Sequence, residues 1–187
     1  MLIGTDTPFM KAVLSLFDDL DKSLPASFTG EIEATLVGGA AVHLHTGYRV
    51  SDDTEAIFSR KMLLPSDLVI HYVDAGGARK AVHLDTNYSS SIALLHPDYE
   101  QGAQAFVKRG RFKLKVLSPL DLAVTKIGRF LGNDADDIVA LTRHGLLSAD
   151  EVEERAREAI GYYIGDTTRV EYNLRDALEL IRSNTPR

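Results

Sequence analysis

Residues 36–58, LVGGAAVHLHTGYRVSDDTEAIF, constrain the fold more than any other part of the chain. Residues 31–37 read as a strand, and Gly38-Gly39 breaks it. Residues 40–45 suit a short helix, ended by Gly47. Arg49, Ser51, Asp53 and Glu55 then stand at every second position and lead into Ala56, Ile57 and Phe58. A short strand is predicted over 54–58. Side chains alternate faces along a strand, so Asp53 and Glu55 are expected on the same side.

The flanking sequence sets the class. Residues 9–20 carry apolar side chains at helical spacing, with Lys11, Asp18 and Asp19 interspersed. That pattern is an amphipathic helix, not an export signal. Strands are predicted over 68–73 and 80–87, joined through Asp74-Ala-Gly-Gly-Ala-Arg79 as a hairpin. A helix is predicted over 97–109, with Pro97 in its first turn. Residues 111–117 alternate Phe112, Leu114 and Val116 against Arg111, Lys113 and Lys115, as a half-buried strand does. Ser118-Pro119-Leu120-Asp121 is a helix start. That helix is expected to reach Leu131, with Leu120, Val124, Ile127 and Leu131 as its apolar stripe. Further helices are predicted over 134–143, 148–160 and 174–182. The order is α+β: a small mixed sheet with flanking helices over 1–117, then a helical part over 118–187.

Composition removes several function classes. The 187 residues hold no cysteine, which excludes disulfides and thiolate metal sites. The six histidines form no HExxH or HxxxH spacing. No apolar run approaches the roughly 18–20 residues of a membrane span, so no membrane partner is expected and the cytoplasm is the default location. Twenty-one Lys and Arg against 27 Asp and Glu give a net charge of −6. That acidity opposes broad nonspecific nucleic-acid binding but allows a local basic groove.

Two carboxylates side by side on one strand repel each other, and a divalent cation would neutralise both. Oxygen ligands without cysteine or nearby histidine select a hard ion, Mg²⁺ or Mn²⁺. Gly38-Gly39 allows backbone to approach a phosphate, and the helix after it offers free N–H groups to an anion. A third carboxylate is expected on an adjacent strand. Asp85 is the leading candidate; Asp74, before Ala-Gly-Gly, reads better as a turn residue.

Gly38-Gly39, a thirteen-residue spacer and Asp53-Thr54-Glu55 together resemble the signature of the DNA polymerase β-like nucleotidyltransferase superfamily. The Arg49-x-Ser51-x-Asp53-x-Glu55 ladder is similar to that of a minimal prokaryotic branch related to abortive-infection type IV toxins. So are Ser118-Pro-Leu-Asp-Leu-Ala-Val-Thr-Lys126 and the later Asp134-Ala-Asp-Asp137-Ile. The resemblance spans roughly residues 31–145. It implies a magnesium-dependent enzyme that transfers NMP from an NTP to an acceptor hydroxyl on RNA, tRNA or protein, with a possible antitoxin partner. It implies Asp53, Glu55 and Asp85 as catalytic metal ligands, with Asp85 activating the acceptor hydroxyl. Gly38, Gly39, Arg49, Ser51 and Lys126 would meet the nucleotide. Two positions depart from the pattern: the second acid is Glu55 rather than the commoner Asp, and the residue between the acids is polar Thr54.

Simpler readings stand beside these. Lys126 and Arg129 also suit a solvated helix face. Asp134 with Asp137 suits a helix N-cap. The basic run 108–115 could hold RNA or a triphosphate, or merely charge a strand against edge pairing. His43 and His45 read as packing or surface residues. A non-catalytic nucleotide-binding module on the same fold is the alternative to an enzyme.

Overall fold

The computed structural model describes residues 1–86, 88 and 93–186. Seven helices and seven strands lie among them: α1 (Pro8–Ser23), β1 (Ile32–Leu36), α2 (Gly38–Thr46), β2 (Asp53–Thr54), β3 (Ala56–Phe58), β4 (Val69–Val73), β5 (Arg79–Leu84), α3 (Tyr99–Gly102), β6 (Gln104–Arg109), β7 (Phe112–Val116), α4 (Pro119–Arg129), α5 (Asp134–Arg143), α6 (Ala149–Tyr162) and α7 (Thr168–Asn184). The class is α+β. The chain divides into two compact units. The first takes the described residues of Met1–Tyr88 with Ala103–Val116; the second takes those of Ser89–Gly102 with Leu117–Arg187.

The first unit holds two mixed sheets. One runs β3-β1-β7-β6, with β1 parallel to β7 and antiparallel to β3. The other runs β2-β5-β4, with β2 parallel to β5. The strand expected over 54–58 is therefore two pieces in different sheets, broken at Glu55. The alternation survives the break. Thr54 and Ala56 are buried, Asp53 is exposed and Glu55 is half-buried. Helix α1 is capped by Thr7, whose hydroxyl accepts the Met10 N–H, and Pro8 opens it. Its apolar face supplies Phe9, Phe17 and Leu20 to the core, where Phe17, Phe58 and Phe112 pack ring on ring.

The helix expected over 97–109 is mostly strand. Only Tyr99–Gly102 is helical, and Gln104–Arg109 pairs antiparallel with β7. The register slips between Ala105 and Val107, so a bulge at Phe106 hides the period of two. Gly110, with φ +53°, makes the turn. Leu131 also departs from expectation. Phe130 (φ 49°) ends α4 early and leaves Leu131 exposed. Asn87, the last residue of the strand expected over 80–87, lies outside the described residues.

The second unit is the helical part, α4 to α7 with α3. Ser118 caps α4 as expected, its hydroxyl accepting the Asp121 N–H at 3.0 Å. Buried Asp121 is held by Arg155 of α6 at 2.8 Å. Among the described residues no helix is long and apolar enough to cross a membrane.

Two side chains of the first unit generate stability predictions. Thr54 Oγ is buried without a hydrogen-bond partner among the described residues. Desolvating a hydroxyl without compensation is unfavourable, so Thr54→Val should stabilise the fold by about 1 kcal/mol. Urea unfolding measures it; a destabilised variant would show that the hydroxyl has a partner. His43 of α2 is held below the ordinary imidazole value of 6.5, mainly by burial, with its bond to the Arg49 carbonyl opposing. As pH falls below 6.5 the unfolded chain takes up a proton before the folded one, so stability declines there and is unaffected above. The urea midpoint should therefore drop from about pH 7.5 to about pH 5.5, and drop less in His43→Asn. Equal drops in the two proteins would refute this assignment.

Candidate functional site

Strand β1 delivers the chain to the turn. The Val37 N–H donates to Glu55 O at 3.1 Å, and Leu36 pairs with Ala56. Gly38 follows at φ +55° and opens α2. Val37, at the cap position, has an apolar side chain and offers no cap bond. A methyl group on Gly38 would overlap the Glu55 carboxylate. On Gly39 it would stand 2.8 Å from Ser51 Cβ, 3.0 Å from Ser51 Oγ and 3.2 Å from Arg49 Nη1. Both glycines are thus required by side chains lying directly on the turn. Ser51 Oγ donates to Asp53 Oδ1 at 2.7 Å. Residues 49, 51, 53 and 55 form one line of side chains along the amino end of α2.

Asp85 joins from β5. Asp53 pairs with His83 and Thr54 with Leu84, in parallel, and the Asp85 N–H donates to Thr54 O at 2.9 Å. Asp85 follows Leu84, one residue beyond the paired register. Leu84 is buried while His83 is exposed and Asp85 half-buried, so His83 and Asp85 share the outer face with Asp53 and Glu55. Asp74 is the expected turn residue: its Oδ1 accepts the Gly76 and Ala78 N–H groups, each at 2.9 Å.

The backbone places three acids on one face, but the side chains are not drawn to one point. Among the described residues no three His, Asp or Glu side chains are gathered closely enough to hold a metal ion. Asp53 is turned to Ser51, and Glu55 to Gly38. Coulomb repulsion among neighbouring carboxylates favours such separate partners. The donor chemistry itself suits a hard cation: carboxylate oxygens only, in a chain without cysteine.

Lys126 belongs to the second unit. Its side chain is 3% exposed and lies 2.6 Å from Asp137 and 3.4 Å from Asp134. Asp134 is not the cap expected of it: Asn133 holds the N-cap position and Asp134 is the first residue of α5. It binds Arg129 and the Leu131 N–H, each at 2.9 Å, and these contacts hold its carboxyl below the usual range despite burial. The basic run 108–115 is matched by acids. Lys108 and Lys113 reach Glu31, Lys115 reaches Glu33, and Arg111 binds Asp21 through its side chain and backbone.

Residue-by-residue reading missed His83 at the site. The signal was present in Ala-Val-His-Leu-Asp, where alternation puts residues 83 and 85 on one face. It also missed the part His43 plays. Two hydrogen bonds fix that ring, and neither partner is near it in an obvious motif.

A family model described as a nucleotidyltransferase of unknown function (DUF6036) matches residues 12–181. The chain belongs to that family. The match covers the diglycine turn, the ladder, Asp85 and Lys126. Membership in a nucleotidyltransferase family makes a nucleotide the expected substrate class. No curated protein matches the chain.

The buried Lys126 ion pairs give a direct test of that residue. Removing one partner of a buried pair typically destabilises by about 3–5 kcal/mol. Lys126→Ala should lose stability on that scale in urea unfolding. An unchanged midpoint would show that the lysine is not structural.

Proposed function

We propose that this nucleotidyltransferase moves a nucleoside monophosphate from an NTP to an acceptor hydroxyl. The observation that carries the reading is the meeting of the Gly38-Gly39 turn with the Arg49-Ser51-Asp53-Glu55 line and the end of β5. The free N–H groups at the start of α2 and the Arg49 guanidinium are suited to phosphate oxygens. Ser51 would supply a hydroxyl donor beside them. Asp53, Glu55 and Asp85 would hold Mg²⁺ or Mn²⁺, which when bound supplies neutralisation of phosphate charge.

In the transfer, the acceptor oxygen attacks the α-phosphorus and the bond to the bridging oxygen breaks. Pyrophosphate leaves with that electron pair. The hydroxyl proton goes to a carboxylate, and Asp85 is the group we assign to that role. The chain contributes orientation and charge placement more than covalent chemistry. Resemblance to the toxin-related branch supports RNA, tRNA or a protein as acceptor, and an antitoxin as partner. Lys126, given its ion pairs, enters this reading as a support of the helical unit.

Incubation with each α-labelled NTP, Mg²⁺, and total RNA and protein tests the proposal. Label should enter one macromolecular fraction and fall by about 100-fold or more with Asp53→Ala. Release of phosphate without labelled acceptor would mark a hydrolase instead. Nucleotide binding without either reaction would mark a non-catalytic module.

A further inference from the structure

His43 is the sixth residue of α2 and is 4% exposed. Its Nδ1 is 2.8 Å from the Arg49 backbone oxygen. A carbonyl only accepts, so Nδ1 carries the proton. Nε2 is then an acceptor, and it lies 2.8 Å from the Thr7 hydroxyl. Thr7 Oγ in turn accepts the Met10 N–H that caps α1. Phe9 stands edge-on to the imidazole at 5.1 Å. Gly4 leaves the space: a side chain there would strike the His43 carbonyl and approach Cδ2 at 2.9 Å. The Ile3 and Gly4 N–H groups donate to Leu44 O beside it.

This chain of bonds ends on the arm that covers the diglycine turn. Residues 47–52 have no helix or strand, so their backbone depends on individual bonds for its course. The imidazole takes the carbonyl of Arg49, the residue whose guanidinium lies against Gly39. A filler of the core would need only the ring's volume. An imidazole with both nitrogens committed does more, because it fixes the arm's position relative to α1 and α2 together.

We propose that His43 is a positioning residue of the nucleotide site. Its Nδ1–H holds Arg49, and with it Ser51, against Gly39, and so sets nucleotide affinity. The proposal rests on the nucleotide reading of that site, and the test separates the two.

The test uses the full chain and three variants. Asparagine carries its amide N–H at the level of Nδ1 and can still reach the Arg49 carbonyl. Glutamine carries it at the level of Nε2, nearer Thr7. Thr7→Val removes the other end of the chain of bonds. Three quantities are measured: the melting temperature, amide exchange over 49–53, and the Kd for ATP, GTP, CTP and UTP with Mg²⁺. His43→Gln should exchange the arm amides about tenfold faster and bind the preferred NTP about tenfold more weakly. His43→Asn should stay within about threefold of wild type on both. Thr7→Val should melt lower and keep its affinity within the same range. A purely structural histidine would lower the melting temperature in both His43 variants and leave them alike in exchange and affinity. That result overturns the proposal. If wild type binds none of the four NTPs, the nucleotide reading and the affinity claim fail together. Arm exchange then reports only whether His43 holds Arg49.

Discussion

Consecutive carbonyls at Thr54 and Glu55 bond in different directions, and the candidate site depends on that. Successive carbonyls of an extended strand point to opposite edges. Here Thr54 O takes the Asp85 N–H, at the end of β5, while Glu55 O takes the Val37 N–H, at the end of β1. One short stretch of chain therefore belongs to both sheets of the first unit. The ends of β1 and β5 are brought to its two sides. The diglycine turn follows one of them and Asp85 follows the other. Loss of either pairing would separate elements that local sequence cannot hold together.

The same junction concentrates unfavourable terms. Acids at 53, 55 and 85 share a face, and a hydroxyl at Thr54 is buried beneath them. Each opposes folding slightly on its own. The core compensates through its aromatic cluster and the amphipathic α1. Local violations of folding preference grouped at one place make this junction the candidate site. In the second unit, by contrast, buried charges are matched: Lys126 with Asp137, and Arg155 with Asp121.

Much of the site was legible because its signals are local. Glycine-glycine after an apolar run marks a turn, and a polar ladder of period two marks one face. Asp85 was legible as an acid late in a strand of a hairpin, although that its own strand, and not the hairpin partner, lies beside Asp53 was not. Pairing between β2 and β5 is a long-range fact that no window of sequence carries. The same limit explains the errors. The segment 104–109 is a strand because β7 is there to pair with it, and a bulge at Phe106 blurred its period. The partners of Lys126 are side chains on the next helix, Asp134 and Asp137, which no local pattern marks as its own. His43 is the buried packing residue expected, but its bonds to Thr7 and Arg49 form only in three dimensions. The strand over 54–58 broke at Glu55 for a related reason: two sheets compete for its edges.

Binding of Mn²⁺, followed by its paramagnetic resonance signal, tests most directly whether these acids share one cation. Wild type should take up one ion, more tightly when its preferred NTP is present. Asp53→Asn, Glu55→Gln and Asp85→Asn should each weaken that uptake while melting near the wild-type temperature. Uptake unchanged in all three would contradict the account, because the face shared by β2, β5 and the diglycine turn would then not be where the metal goes.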